Sequence, residues 1–95
     1  MPTKITKLKK SFTIMNSKGL HTRPATEIVK CAQTFKSQIH LIYQGRIVNA
    51  KFLLGILMLA VPYGSTITVE AEGHDAEKAI DAMIDLANNK FNIEY

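Results

Sequence analysis

The chain reads as an α+β fold of two layers, with helices packed on one face of a largely antiparallel sheet. Three observations predict it. Short segments alternate apolar and polar residues with a period of two, as half-buried strands do. Other stretches repeat apolar residues at helical spacing and are polar elsewhere. Two strand-like segments are separated only by Gln44-Gly45, which fits a hairpin and therefore antiparallel pairing. Strands and helices that each carry one apolar face bury them together when all helices lie on the same side.

The elements follow in order. Ser11 to Met15 alternates, with Phe12 and Ile14 on one face, and reads as a strand. Asn16-Ser17-Lys18-Gly19 is a loop. A first helix is expected from Thr22 to Phe35, with Ala25, Ile28, Val29, Ala32 and Phe35 recurring at its spacing. Ser37 to Tyr43 resumes strand character, and Arg46 to Asn49 returns after the turn. From Ala50 to about Ala60 the sequence predicts a short, very apolar helix, stopped before Pro62. Ser65 to Glu72 is a strand with Ile67, Val69 and Ala71 on one face. Asp75 is placed as the N-cap of a last helix, whose stripe is Ala76, Ala79, Ile80, Met83, Ile84 and Ala87.

With 95 residues, the chain is expected to form one domain over 1–95. Residues 1–10 carry four lysines and read as a flexible basic extension. The net charge of +4 admits an anionic partner without naming one. Nucleic-acid binding is not expected, because no aromatic RNA-binding signature, zinc-ligand spacing or basic helix occurs. The longest apolar run, Phe52 to Val61, falls well short of the ~20 residues that span a bilayer. No signal-peptide pattern appears, and the lone Cys31 excludes an internal disulfide, so a cytoplasmic protein without membrane contact is expected.

Gly19-Leu20-His21-Thr22-Arg23-Pro24-Ala25 carries the most chemistry. It sets an imidazole and a guanidinium where a helix begins. Thr22 is a suitable N-cap, and Pro24 is tolerated in a first turn because the amide it lacks has no helical acceptor there. The free amides and dipole of a helix N-terminus, the end that Thr22 and Pro24 mark here, favour a phosphate. His21 could carry one on a ring nitrogen, with Arg23 screening it. Residue chemistry alone leaves open whether His21 is functional or a loop histidine that merely precedes a helix. His40 and His74 lack such company, and the histidines and Cys31 lack zinc-site spacing, so no metal is expected.

This stretch resembles the active-site motif of HPr, the phosphocarrier of the bacterial sugar phosphotransferase system. The resemblance continues through Gly45-Arg46-Ile47-Val48-Asn49-Ala50-Lys51, Gly55 and Gly64-Ser65, and covers roughly Phe12 to Leu86. It implies an open-faced sandwich, β-α-β-β-α-β-α, with antiparallel sheet order 1-4-2-3 and three helices on one face. It implies that His21 accepts a phosphoryl group from enzyme I through Nδ1 and passes it to IIA-type acceptors, with Arg23 beside the group. It implies no cofactor and a monomeric carrier that is not a free-standing enzyme. Leu53, Leu54 and Leu57 occupy positions expected to face partners, with Lys30 and Lys51 adding charge at the rim.

One departure stands out. Many relatives have a serine, the target of a regulatory kinase, where this chain has Phe52. No Ser, Thr or Tyr occurs between Gln44 and Pro62. Serine-kinase regulation is therefore expected to be absent, and Phe52 would extend the apolar patch. The run from Phe52 to Leu59 is too apolar for one helix face, so it is either nearly all buried or a docking patch. The alternative function is a regulatory or nitrogen-branch HPr-like module that acts mainly through protein–protein binding.

Overall fold

A computed structural model describes residues 6–93. Its elements are β1 (Thr6–Thr13), α1 (Thr22–Ala32), β2 (Gln38–Tyr43), β3 (Arg46–Asn49), α2 (Leu53–Met58), β4 (Thr66–Gly73) and α3 (Ala76–Asn88). A single 3-10 turn, Lys90–Asn92, follows. The strands form one antiparallel sheet in the order β1-β4-β2-β3, the order the resemblance implied.

Alternation decides which face is buried. Phe12, Ile39, Leu41, Ile67, Val69 and Ala71 point to the helices and are buried. The helices answer with Ala25, Ile28, Ala32, Ile56, Ala79, Ile80 and Met83. The opposite face is polar. There Ser11 and Thr68 hydroxyls meet at 3.2 Å, and Lys9 reaches the Glu70 carboxylate at 3.4 Å.

Several expected boundaries move. Thr6–Lys10, expected to be a flexible extension, form the first half of β1. They are held because Thr6 to Lys10 pair in register with Gly73 to Val69, and Glu70 draws in Lys7 and Lys9. Residues 1–5 of that extension lie outside the described residues. Helix α1 ends at Ala32 rather than Phe35, and its last turn closes by bonds from Thr34 N–H to Cys31 and Phe35 N–H to Ala32. Helix α2 is only Leu53–Met58, shorter than the expected Ala50–Ala60. At its far end the Arg46 guanidinium donates to the Met58 carbonyl at 2.6 Å. Within the predicted stripe of α3, Ile84 is only half-buried.

Asp75 occupies the N-cap position of α3, but its carboxylate does not cap that helix. It accepts the backbone N–H groups of Lys36 and Ser37, at 2.8 and 2.9 Å, and the Ser37 hydroxyl. These bonds tie the α1–β2 loop to the β4–α3 loop. They also hold the Asp75 carboxyl at about 2, below the usual carboxylate range, with the Ser37 hydroxyl as the main cause.

Candidate functional site

The site begins with a backbone constraint. Gly19 has φ +70°, and a Cβ there would overlap the Val61 carbonyl oxygen and lie 3.0 Å from Pro62 Cα. Only glycine adopts that conformation at that distance without cost. The next residue, Leu20, donates its N–H to the same Val61 oxygen at 2.8 Å. The loop before α1 is thus pressed onto the α2–β4 loop.

His21 itself is the N-cap, with extended backbone (φ −83°, ψ −169°), and its carbonyl accepts the Ala25 N–H at 3.0 Å. Thr22, expected to be the cap, is instead the first helical residue, and no side chain caps α1. Helix α1 thus begins one residue earlier than capping propensity suggests, just after the bond from Leu20 to Val61. Pro24 falls in the first turn, where its missing amide leaves no helical bond unmade. Thr22 and Arg23 are exposed beside it at the positive end of the helix.

His21 lines an open cleft of about 400 Å³ together with Lys18, Thr22, Leu57, Ala60 and Pro62. Its Nε2 has essentially no solvent exposure. Burial, then the positive charges of Lys18 and Arg23, hold the imidazole below its ordinary pKa. A neutral ring keeps a nitrogen lone pair at neutral pH, which a nucleophile requires. Arg23 also lines an adjoining cleft of about 340 Å³ with Thr22, Thr26, Glu27, Asn92 and Ile93. A nucleophilic nitrogen, cationic neighbours and a helix N-terminus together suit a transient phosphoryl group.

The apolar second helix divides. Ile56 and Leu59 are buried in the core, whereas Leu53 and Leu57 are half-buried against it. Phe52, Leu54 and Met58 are 56%, 57% and 61% exposed, so the helix is an exposed apolar surface on its outer side. Leu57 joins that surface to the His21 cleft. The two lysines expected at the rim are engaged: Lys30 pairs with Glu27 at 3.2 Å, and Lys51 donates to the Phe35 carbonyl at 2.8 Å. Cys31 is half-buried beside the core, and burial pushes its thiol pKa up.

A family model described as the PTS HPr component phosphorylation site matches residues 8–89. The chain belongs to the HPr family. It is 40% identical over 84 residues to the phosphocarrier protein HPr of Cupriavidus necator, covering 88% of this chain and 94% of that protein. The crystal structure of HPr-C-His from Thermoanaerobacter tengcongensis superposes with a TM-score of 0.88 at 41% identity, covering 93% and 99% of the two chains. An HPr dimer from the same organism gives a TM-score of 0.72 at 44% identity, covering 84% and 92%. HPr proteins are phosphocarriers of the phosphotransferase system, not free-standing enzymes, and this chain is one of them.

Sequence reading of this HPr chain missed several residues of the site. In the sequence Lys18 reads only as part of a loop, although its charge bears on His21. Ala60, Val61 and Pro62 reach the cleft from a distant loop, and Asn92 and Ile93 reach its neighbour from the far end of the chain. Only Lys18 carried a local signal, a cation three residues before the histidine in a glycine-containing loop.

Proposed function

We propose that His21 accepts a phosphoryl group through Nδ1 from phosphorylated enzyme I and passes it to a IIA-type acceptor. The observation that carries this reading is the seating of a neutral His21 at the N-terminus of α1, with Nε2 turned inside. Burial of one ring nitrogen favours reaction at the other. In each transfer the N–P or O–P bond of the donor breaks as the new bond forms, and the protein's part is to position the group and screen its charge. Arg23 supplies the nearest guanidinium in sequence, and Thr22 stands at the same helix end.

The partner face is proposed to be α2 and the residues around it: Phe52, Leu53, Leu54 and Leu57, with Lys30 and Lys51 nearby. Lacking a hydroxyl between Gln44 and Pro62, this segment offers a serine kinase no acceptor, so regulation at this place is absent. The carrier works as a monomer in the cytoplasm on this reading. No described helix is long and apolar enough to cross a membrane.

The test is mass spectrometry after incubation with enzyme I and phosphoenolpyruvate. An acid-labile gain of one phosphoryl group is expected on the parent and not on His21→Ala. A gain that survives His21→Ala would falsify the assignment. Transfer from the phosphorylated protein to sugar-specific and regulatory IIA acceptors then separates sugar transport from a regulatory branch.

A further inference from the structure

We infer that Lys18 is a further catalytic residue, the cation that holds the phosphoryl group of His21 from within the histidine's own cleft. The inference rests on the proposed function and names the side chain that grips the group there. The sequence sets Lys18 three residues before His21, in Asn16-Ser17-Lys18-Gly19. Gly19 donates its N–H to the Asn16 carbonyl at 2.9 Å, which closes a β-turn with Ser17 and Lys18 at its central positions. Both ends of that turn are fixed. Asn16 is fully buried, and its side-chain amide donates to the Lys90 carbonyl at 2.9 Å. Gly19 lies against Val61 and Pro62. The backbone of Lys18 is thus set, and the residue itself is exposed at the rim of the His21 cleft.

Two clefts meet at Thr22, and the cations divide between them. Arg23 lines one, with Thr26, Glu27 and Asn92. Lys18 lines the other, with His21. The Arg23 cleft already holds a carboxylate, that of Glu27, 3.5 Å from the Asn92 side-chain amide. Among the described residues, no Asp or Glu lines the His21 cleft. A phosphoryl group is repelled by a carboxylate and attracted by an ammonium, so the Lys18 side is the more favourable one. The charge of Lys18 also acts on the imidazole more strongly than that of Arg23. A lysine carries a compact charge on a flexible stem, so it can follow a group that arrives from a partner.

In the transfer, the Nδ1 lone pair forms the new bond to phosphorus as the donor's bond to phosphorus breaks, and that bond's electron pair returns to the donor. Lys18 stays protonated throughout and gives up no proton. Its ammonium donates hydrogen bonds to the phosphoryl oxygens as they reach Nδ1 and keeps them in the phosphorylated carrier. It therefore stabilises the product as well as the crossing, and the equilibrium records its presence.

The experiment poises the full chain against fixed ratios of phosphoenolpyruvate to pyruvate, with enzyme I as catalyst, and reads the phosphorylated fraction by mass spectrometry. Lys18→Met is expected to lower the equilibrium constant for phosphorylation about fivefold, the upper end for an exposed ion pair, at a nearly unchanged melting temperature. Lys18→Arg should keep most of the parent's value, because it restores the charge. In phosphorus NMR, Lys18→Met should move the titration of the phosphoryl group to higher pH, since a nearby cation favours the dianion. An equilibrium constant and a titration both equal to the parent's in Lys18→Met overturn the role and leave the functional reading standing. Slower phosphorylation at an unchanged equilibrium assigns Lys18 to steering the donor and also overturns it. A parent that takes no phosphoryl group overturns the functional reading, and the role of Lys18 with it.

Discussion

The two ends of the sandwich are held by different means. At the end bearing His21, the loops are fixed by backbone conformation. Among the described residues, every non-glycine with positive φ lies there: Gln44, Ala60, Lys90, Phe91 and Asn92. The turn after β2, the loop after α2 and the turn after α3 all arrive at this end, and the loop after α2 lies against Gly19. At the opposite end, the two loops are joined by side-chain hydrogen bonds from one carboxylate, Asp75. Strained backbone is retained only where neighbours over-determine it, and it gathers at sites that must present a group in one geometry. The satisfied end contributes stability, and the strained end holds His21 in place.

The largest effect should come from breaking the constraint at the strained end. Gly19→Ala forces a Cβ onto Val61 and a left-handed alanine at once, and about 3 kcal/mol of stability should be lost. Denaturant unfolding would read that loss, and phosphorylation of whatever remains folded should fall with it, because His21 is two residues away. A Gly19→Ala protein as stable as the parent would mean the loop has room that the Val61 contact denies.

At the opposite end, Asp75→Asn should lower the melting temperature while leaving the phosphorylation rate of His21 unchanged. The pH dependence has a definite sign. Asp75 is held at about 2 in the folded protein, against about 3.9 unfolded. Its contribution is therefore complete above pH 4 and is lost as pH falls towards 2. Thermal melts of parent and Asp75→Asn should converge over that window and differ above it. A constant difference down to pH 2 would take the role away from the ionised carboxylate.

This division also explains what could be read in the sequence. Where a segment's fate is decided locally, the reading holds: the alternation of β2 and β4, the Gln44-Gly45 turn with φ of 50° and 76°, and the glycine before α1. Where a distant partner decides, it does not. Lys7 and Lys9 look like a solvated tail until Glu70 pairs beside them. Asp75 has every local mark of an N-cap, yet its partners lie 38 and 39 residues back. Phe91 follows two asparagines and a lysine, a composition that ends helices. Its ring is nonetheless fully buried edge-on to Phe12 at 6.0 Å, and Asn16 donates to the Lys90 carbonyl at 2.9 Å. For the site, the phosphate-ready motif was legible and the walls of its cleft were not, since Leu57 comes from α2 and Ala60 and Pro62 from the loop after it.

A smaller effect should appear at Ala60, whose φ of 53° lies in the left-handed region at the edge of the His21 cleft. Two terms oppose each other in Ala60→Gly. Relief of the left-handed penalty gains about 1–2 kcal/mol. The freer unfolded chain returns about 0.4–1 kcal/mol of that. The first should win, for a net stabilisation of roughly 0.5–1 kcal/mol in chemical denaturation. A destabilised variant would show that the alanine methyl packs usefully against the cleft.

The smallest stability effect, and the sharpest division between holding the fold and doing the chemistry, is expected at Arg23. The residue is exposed in the first turn of α1, where truncation should cost stability no more than about 0.5 kcal/mol. Its guanidinium nevertheless stands two residues from His21 at the helix end that receives the phosphoryl group. In transfer the negative charge moves from one partner to the imidazole, and a fixed cation nearby stabilises that movement more than it stabilises the resting protein. Arg23→Ala should therefore slow phosphorylation of His21 by at least about tenfold at a nearly unchanged melting temperature. Arg23→Lys should recover part of the rate, since it restores charge without the planar fork that meets two phosphate oxygens together. Equal rates in the alanine variant and the parent would leave the phosphoryl group to the helix N-terminus alone.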